Sequence, residues 1–170
     1  METVDAVLAW MTQLPPMQIY VVAGLLLAAE VGLLVGLAVP AASIMLSLGA
    51  LANSGHLHLI TAISVAVVAA LLGDSIGYWE GRLVGPRLRG GRLARRIGVR
   101  RWQRAERVIL RGAPAIALGR WTAFVRTLVP RVAGAAGVRY LWFLVYEVPA
   151  VLVWMPGTIL VGYAAGAALP

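Results

Sequence analysis

The 170-residue sequence has no cysteine, no lysine and few charges of either sign. Without Cys there can be no disulfide, thiolate metal site, iron–sulfur cluster or Cys nucleophile. His56 and His58 are the only imidazoles, so neither a metal nor any other cofactor is expected. Charged residues make up 13% of the chain, against roughly 25% in an ordinary globular protein. Hydrophobic residues make up 61%, and mean hydropathy is +0.84. That is too little polar surface for a soluble domain. The sequence predicts an all-α membrane protein, a single bundle of about four to six embedded segments. All fifteen basic residues are Arg, against seven acids, for a formal charge of +8; replacing every Lys suits a GC-rich genome as well as any function. Glu2 and Asp5 stand where a signal peptide would be positive, so no cleavable leader is expected.

The apolar runs suggest two halves. Residues 17–39 carry Glu30 as their only charge and predict a spanning helix ending near Pro40. Residues 41–52 are apolar but too short to cross alone, and suit a re-entrant segment closed by Asn53-Ser54-Gly55. Residues 59–72 and 75–84 make one crossing interrupted at Gly73-Asp74. From Arg82 to Arg111, eleven Arg face one acid, Glu106. This reads as a surface connection on the cytoplasmic side, with Ile97, Trp102, Ala105, Val108 and Ile109 at roughly helical spacing for a helix in the headgroup plane. Residues 113–129 are apolar except for Arg120 and Arg126 and end at Pro130, and residues 141–169 make a last long crossing. The division is therefore one membrane domain, with a first half at 17–81, an Arg-rich connection at 82–111 and a second half at 112–169. Duplicated halves with broken helices point to a transporter with its site near the midplane.

Gly24, Ala28, Gly32 and Gly36, and again Gly73, Gly77, Gly81 and Gly85, recur every four residues as small-residue stripes that let helices approach closely. Gly73, Gly77, Gly81 and Gly134 are assigned to packing, and Pro40 and Pro130 to helix breaks. A serine-hydrolase reading of Gly73-Asp74-Ser75-Ile76-Gly77 is set aside, because only His56 and His58 could serve as base and nothing places a carboxylate behind them. Embedded ionisable groups are costly and need a partner or a wet cavity. The acids are Glu30, Asp74 and Glu147, and the bases Arg120, Arg126, Arg131 and Arg139. Arg120 and Arg126 are six residues apart, so a helix break between them is needed for both to face one cavity. There the paired donors of Arg suit phosphate oxygens. In the plainer reading the same charges pair with one another and brace the bundle.

At these residues the chain resembles the DedA family, also called the SNARE-associated or VTT-domain family. Arg120-Trp121-Thr122-Ala123-Phe124-Val125-Arg126-Thr127-Leu128-Val129-Pro130, followed by Ala133-Gly134, is similar to its R-F-x-P-x-x-R-x-x-x-P-x-x-A-G signature. Gly73-Asp74-Ser75-Ile76-Gly77-Tyr78-Trp79-Glu80-Gly81 is similar to its G-D-x-x-G-Y-x-x-G motif. Glu30 with Pro40 resembles its acidic hairpin, and Trp154 with Gly162-Tyr163-Ala164-Ala165-Gly166 its closing crossing. The likeness runs from about residue 20 to 166. It implies a multi-pass bacterial inner-membrane protein with two facing re-entrant hairpins in pseudo-symmetric halves, moving a phospholipid or a lipid-linked phosphate such as undecaprenyl phosphate. Three positions depart from the pattern: Ala123 replaces a Pro, Glu147 an Asn, and Ala42 the hairpin's second acid.

The expectation is a lipid transporter or flippase and not an enzyme. Arg120, Arg126 and Arg131 are its phosphate contacts, and Glu30 and Asp74 carry protons or gate the cavity. The partners are the membrane and an anionic lipid or polyprenyl phosphate; a homo-oligomer is allowed. Nucleic acid is not expected, since one-sign basic segments beside membrane spans ordinarily meet anionic lipid. The alternative is a structural or regulatory membrane protein.

Overall fold

The computed structural model describes residues 14–32, 41–90 and 123–167, and all its regular structure there is helical. Helix α1 is Pro16–Gly32, α2 is Ala41–Asn53, α3 is Leu59–Gly90, α4 is Ala123–Ala136 and α5 is Tyr140–Ala167. Pro40, Gly36, Arg120 and residues 91–111, including the in-plane helix expected there, lie outside the described residues.

Local chemistry explains the ends. Pro16 opens α1 at the position where a missing N–H costs nothing. In α2 the chain stops because Gly55 turns to φ 77° while Gly55 N bonds Ala52 O at 3.3 Å and His56 N bonds Leu51 O at 3.0 Å. Helix α4 stops in the same way: Gly137 has φ 79°, its N–H reaches Gly134 O at 3.0 Å, and Val138 N reaches Ala133 O at 3.1 Å. Both are Schellman caps, in which a glycine in left-handed conformation lets two following N–H groups satisfy the last carbonyls.

Two expectations about breaks are corrected. Helix α3 runs unbroken through Gly73-Asp74 to Gly90, so its 32 residues take in the first part of the Arg-rich segment. At Gly73 the chain keeps its helical path because the missing side chain lets α1 close in; a methyl at Gly32 would sit 3.4 Å from the Gly73 backbone. Nor does the chain stop at Pro130, which lies inside α4. A proline costs a helix one hydrogen bond, but membrane helices tolerate it where neighbours cover the freed groups. Pro130 is fully buried against α3 at Gly77, and α5 also continues through two prolines, the exposed Pro149 and the half-buried Pro156.

Among the described residues, Leu59–Gly85 and Tyr140–Ala167 are long and apolar enough to cross a bilayer. Each short helix packs against a long one: α2 against α5, and α4 against α3. Glycines make both crossings. A methyl at Gly49 would lie 2.6 Å from Tyr163 N, and one at Gly162 2.7 Å from Leu46 Cα. On the other crossing, a methyl at Gly81 would lie 2.7 Å from Arg131 Cα, at Gly134 2.8 Å from Arg82 N and at Gly85 2.6 Å from Ala135 Cα. Of the glycines read for packing, Gly81 and Gly134 lie at this crossing, and a methyl at Gly77 would sit 3.5 Å from Pro130 and from Arg131 Nη1. Leu27, Met45, Ala66, Ala70, Val151 and Met155 fill the core between α1, α2, α3 and α5. Outside, Leu25, Leu72, Leu83, Leu141, Val153 and Val161 are exposed, an apolar exterior suited to hydrocarbon.

Candidate functional site

The buried charges gather where α1, α3, α4 and α5 meet. Glu30 lies two residues before the end of α1, at 6% exposure; Asp74 is in mid-α3 at 1%, and Glu147 two turns into α5 at 2%. The Gly32–Gly73 contact brings Glu30 and Asp74 to the same crossing. Helices α3 and α5 meet through side chains, with Phe143 stacked on Tyr78 at a centroid distance of 5.2 Å. The bundle thus buries three carboxylates, and none of them is without an interaction partner.

Arg131, on α4, is buried as well, at 8% exposure. Its Nε donates to Glu80 Oε2 at 3.0 Å, and its Nη2 donates to the Gly32 carbonyl at the end of α1. The guanidinium lies over Gly77, with Nη1 3.5 Å from where a methyl there would be. One side chain therefore ties three helices together. The Gly32 carbonyl is among the last of α1 and so without a partner inside that helix, which makes it a natural acceptor for a cation.

Of the expected site residues, Glu30, Asp74 and Arg131 are all buried, and Arg131 reaches the end of α1 two residues beyond Glu30. Arg120 is outside the described residues, as is the side chain of Arg126, whose backbone lies in α4. Glu80 is the partner that sequence reasoning missed. Ser75 is no nucleophile: its Oγ donates to Leu71 O at 2.6 Å and shares a 2.8 Å hydrogen bond with Tyr140 Oη. His56 and His58 lie in the turn before α3, seventeen or more residues from Ser75 along the helix, about 25 Å away. Among the described residues no cluster of three His, Cys, Asp or Glu side chains could hold a metal ion.

Between the outer sides of α1 and α3 runs an apolar groove of about 570 Å³, lined among others by Tyr20, Gly24, Ala28, Val65 and Leu72. No Arg, Asp or Glu lines it, so it offers nothing to a phosphate.

The VTT-domain family model matches residues 39–164. An inner membrane protein of Salmonella typhimurium, YghB, is 35% identical over 79% of this chain and 62% of its own length. The protein DedA of Escherichia coli is 30% identical over 87% of this chain and 69% of its own length. An uncharacterized membrane protein of Mycobacterium tuberculosis is 33% identical over 94% and 75%. A Synechocystis membrane protein matches at 33% identity over 77% of this chain, which spans only 61% of that relative. No solved structure matches. The family match takes in Asp74, Glu147 and Arg131, both glycine crossings and both capped short helices, though not α1 with Glu30, and the chain belongs to the VTT-domain, or DedA, family of membrane proteins.

Proposed function

We propose that this protein moves a phospholipid or a lipid-linked phosphate, of the undecaprenyl phosphate kind, across the bacterial inner membrane as a multi-pass transporter or flippase, without catalysing a covalent reaction. The observation that carries the reading is the burial of Glu30, Asp74 and Glu147 inside a bundle whose exterior is apolar. Embedded carboxylates are expensive in a membrane, and their ordinary use is along a substrate or proton path. In this reading the short helices α2 and α4 belong to two facing re-entrant hairpins in related halves. The shared Schellman caps and glycine crossings support that relation.

Arg120 and Arg126 take the phosphate, their forks matching its oxygens in pairs. Glu30 and Asp74 carry protons or repel a second anion while the site is filled. Arg131 is assigned mainly to bracing, with phosphate contact only if Glu80 releases it, because its Nε and Nη2 are already engaged. Those same contacts favour the second reading, a structural membrane protein whose charges only hold helices together.

Reconstituted vesicles carrying a fluorescent phospholipid or polyprenyl phosphate decide between the two. Translocation above that of empty vesicles, lost in Arg120→Gln and Arg126→Gln with the fold intact, supports transport. No translocation by the wild type, together with unfolding of both variants, supports bracing.

A further inference from the structure

Arg82 lies 23 residues along α3 from Leu59, about 35 Å of helix, slightly more than the thickness of a bilayer's hydrocarbon. It therefore sits at the membrane boundary, at the end of the bundle opposite the Asn53–His58 turn. Its guanidinium is held rather than free. Arg82 Nη1 donates to Tyr78 Oη at 3.2 Å and to the Val138 carbonyl at 3.3 Å, and the Tyr78 hydroxyl donates to that same carbonyl. One arm of the fork is clamped. Arg82 Nε and Nη2 have no protein partner among the described residues. Arg139 follows Val138 directly in the chain and is exposed, so the Arg82 guanidinium is held on the loop residue next to Arg139. Among the described residues no carboxylate contacts either of them.

Like charges held together without an acid make a place for an anion. The surroundings say which kind. Leu83 is 71% exposed, Leu141 70% and Trp142 54%, and Trp142 stacks on Tyr146 with centroids 6.3 Å apart. Water is a poor medium for that surface, whereas Trp and Tyr beside Arg are at home at the headgroup level. An anion bound here arrives with hydrocarbon attached.

We propose that Arg82 and Arg139 form a binding site for the phosphate of an anionic phospholipid in the adjoining leaflet, with Tyr78 presetting the orientation of Arg82. The site is separate from the buried Asp74, which lies eight residues back along α3, about 12 Å. It stands whether or not the protein moves lipid, because it needs only that the bundle sits in a membrane.

The test uses the full chain in vesicles of phosphatidylcholine containing a trace of spin-labelled phosphatidylglycerol, read as the immobilised fraction of the label against labelled phosphatidylcholine. Each Arg lost, as Arg82→Gln or Arg139→Gln, should lower the preference for phosphatidylglycerol about fivefold. Tyr78→Phe should weaken it less, by freeing the Arg82 side chain. Removing two charges from the Arg-rich segment instead, as Arg95→Gln with Arg96→Gln, should leave the immobilised fraction nearly unchanged. An equal loss in that control would overturn the site in favour of diffuse attraction. Displacement of the label by inorganic phosphate would overturn the assignment to lipid. If Arg82→Gln fails to fold, Arg139→Gln decides alone, since the Arg139 side chain makes no described contact inside the bundle; an unchanged preference there refutes the proposal.

Discussion

A methyl group added at Gly81 would lie 2.6 Å from the carbonyl carbon and 2.7 Å from the Cα of Arg131. Carbon atoms in comfortable contact are about 3.5–4.0 Å apart, so Gly81→Ala must part α3 from α4 by about 1 Å. The obstacle is backbone, and no rotamer change relieves it. Overpacking of this kind costs about 1–3 kcal/mol, while replacing a helical Gly with Ala returns about 0.5–1 kcal/mol. The net loss should be about 1–2 kcal/mol. Parting the helices also strains the 3.0 Å Arg131–Glu80 pair, which spans this crossing. Gly134→Ala opens the same crossing from the α4 side, its methyl 2.8 Å from Arg82 N. The double variant should cost clearly less than the sum, because the first methyl has already made room for the second. SDS titration of the protein in mixed micelles reads the unfolding midpoint. Gly157→Ala is the control, since nothing lies within 4 Å of its added methyl; it should be neutral or slightly stabilising. If Gly81→Ala unfolds at the same midpoint as Gly157→Ala, the close crossing is not what holds α4 on α3.

Tyr140→Phe removes the Ser75 bond and should lower stability by about 0.5–1.5 kcal/mol; Ser75→Ala in that background should add little, read by the same titration. Glu80→Ala should cost about 1 kcal/mol or less, because the Glu80 side chain is 41% exposed and partly screened by solvent; Glu80→Gln should cost less still, since its amide oxygen can accept from Arg131 Nε. A single Cys at Gly90 in this Cys-free chain should resist an impermeant thiol reagent in intact cells and react after permeabilisation, placing the Arg-rich segment inside. With Ala42 at the position where relatives are expected to carry a second acid, translocation should respond weakly to an imposed pH gradient, and Ala42→Asp should strengthen the response. Strong gradient-driven translocation by the wild type, lost in Glu30→Gln but not in Asp74→Asn, would show that one carboxylate suffices.

Local punctuation was legible in the sequence where it acts locally. Asn53-Ser54-Gly55 ends α2 as read, because a left-handed glycine cap is a property of a few neighbouring residues, and α4 ends on a cap of the same kind at Gly137, beyond the stop expected at Pro130. The long apolar run after Arg139 is α5 for the same reason. Gly73-Asp74 and Pro130 misled, since a breaker in water becomes, inside a bundle, a place where another helix closes in or covers the freed groups. Glu80 was passed over because it adjoins the Arg-rich run and its partner Arg131 lies 51 residues away. Nothing in the spacing of a single chain joins two such residues. The Arg82–Tyr78–Val138 clamp was hidden in the same way, since a backbone carbonyl leaves no mark on a pattern of side chains.

The contacts that hold this bundle differ in kind from those around its charges. Where α2 meets α5 and α4 meets α3, backbones touch at glycines, and such a contact cannot be loosened without moving a whole helix. Where α5 meets α3, side chains meet instead: Phe143 stacks on Tyr78, and Tyr140 bonds Ser75. Side chains can change rotamer, exchange hydrogen-bond partners or admit water without moving an axis. Asp74 and Glu147 therefore belong to the two helices whose seam can adapt, between helix pairs that cannot, while Glu30 lies on α1. Arg131 is the exception, because it is fixed to the rigid α3–α4 crossing and also reaches the Gly32 carbonyl of α1. Substitutions at the glycines should accordingly change stability first, and substitutions at Glu30, Asp74 or Glu147 activity first, while Arg131 should change both together.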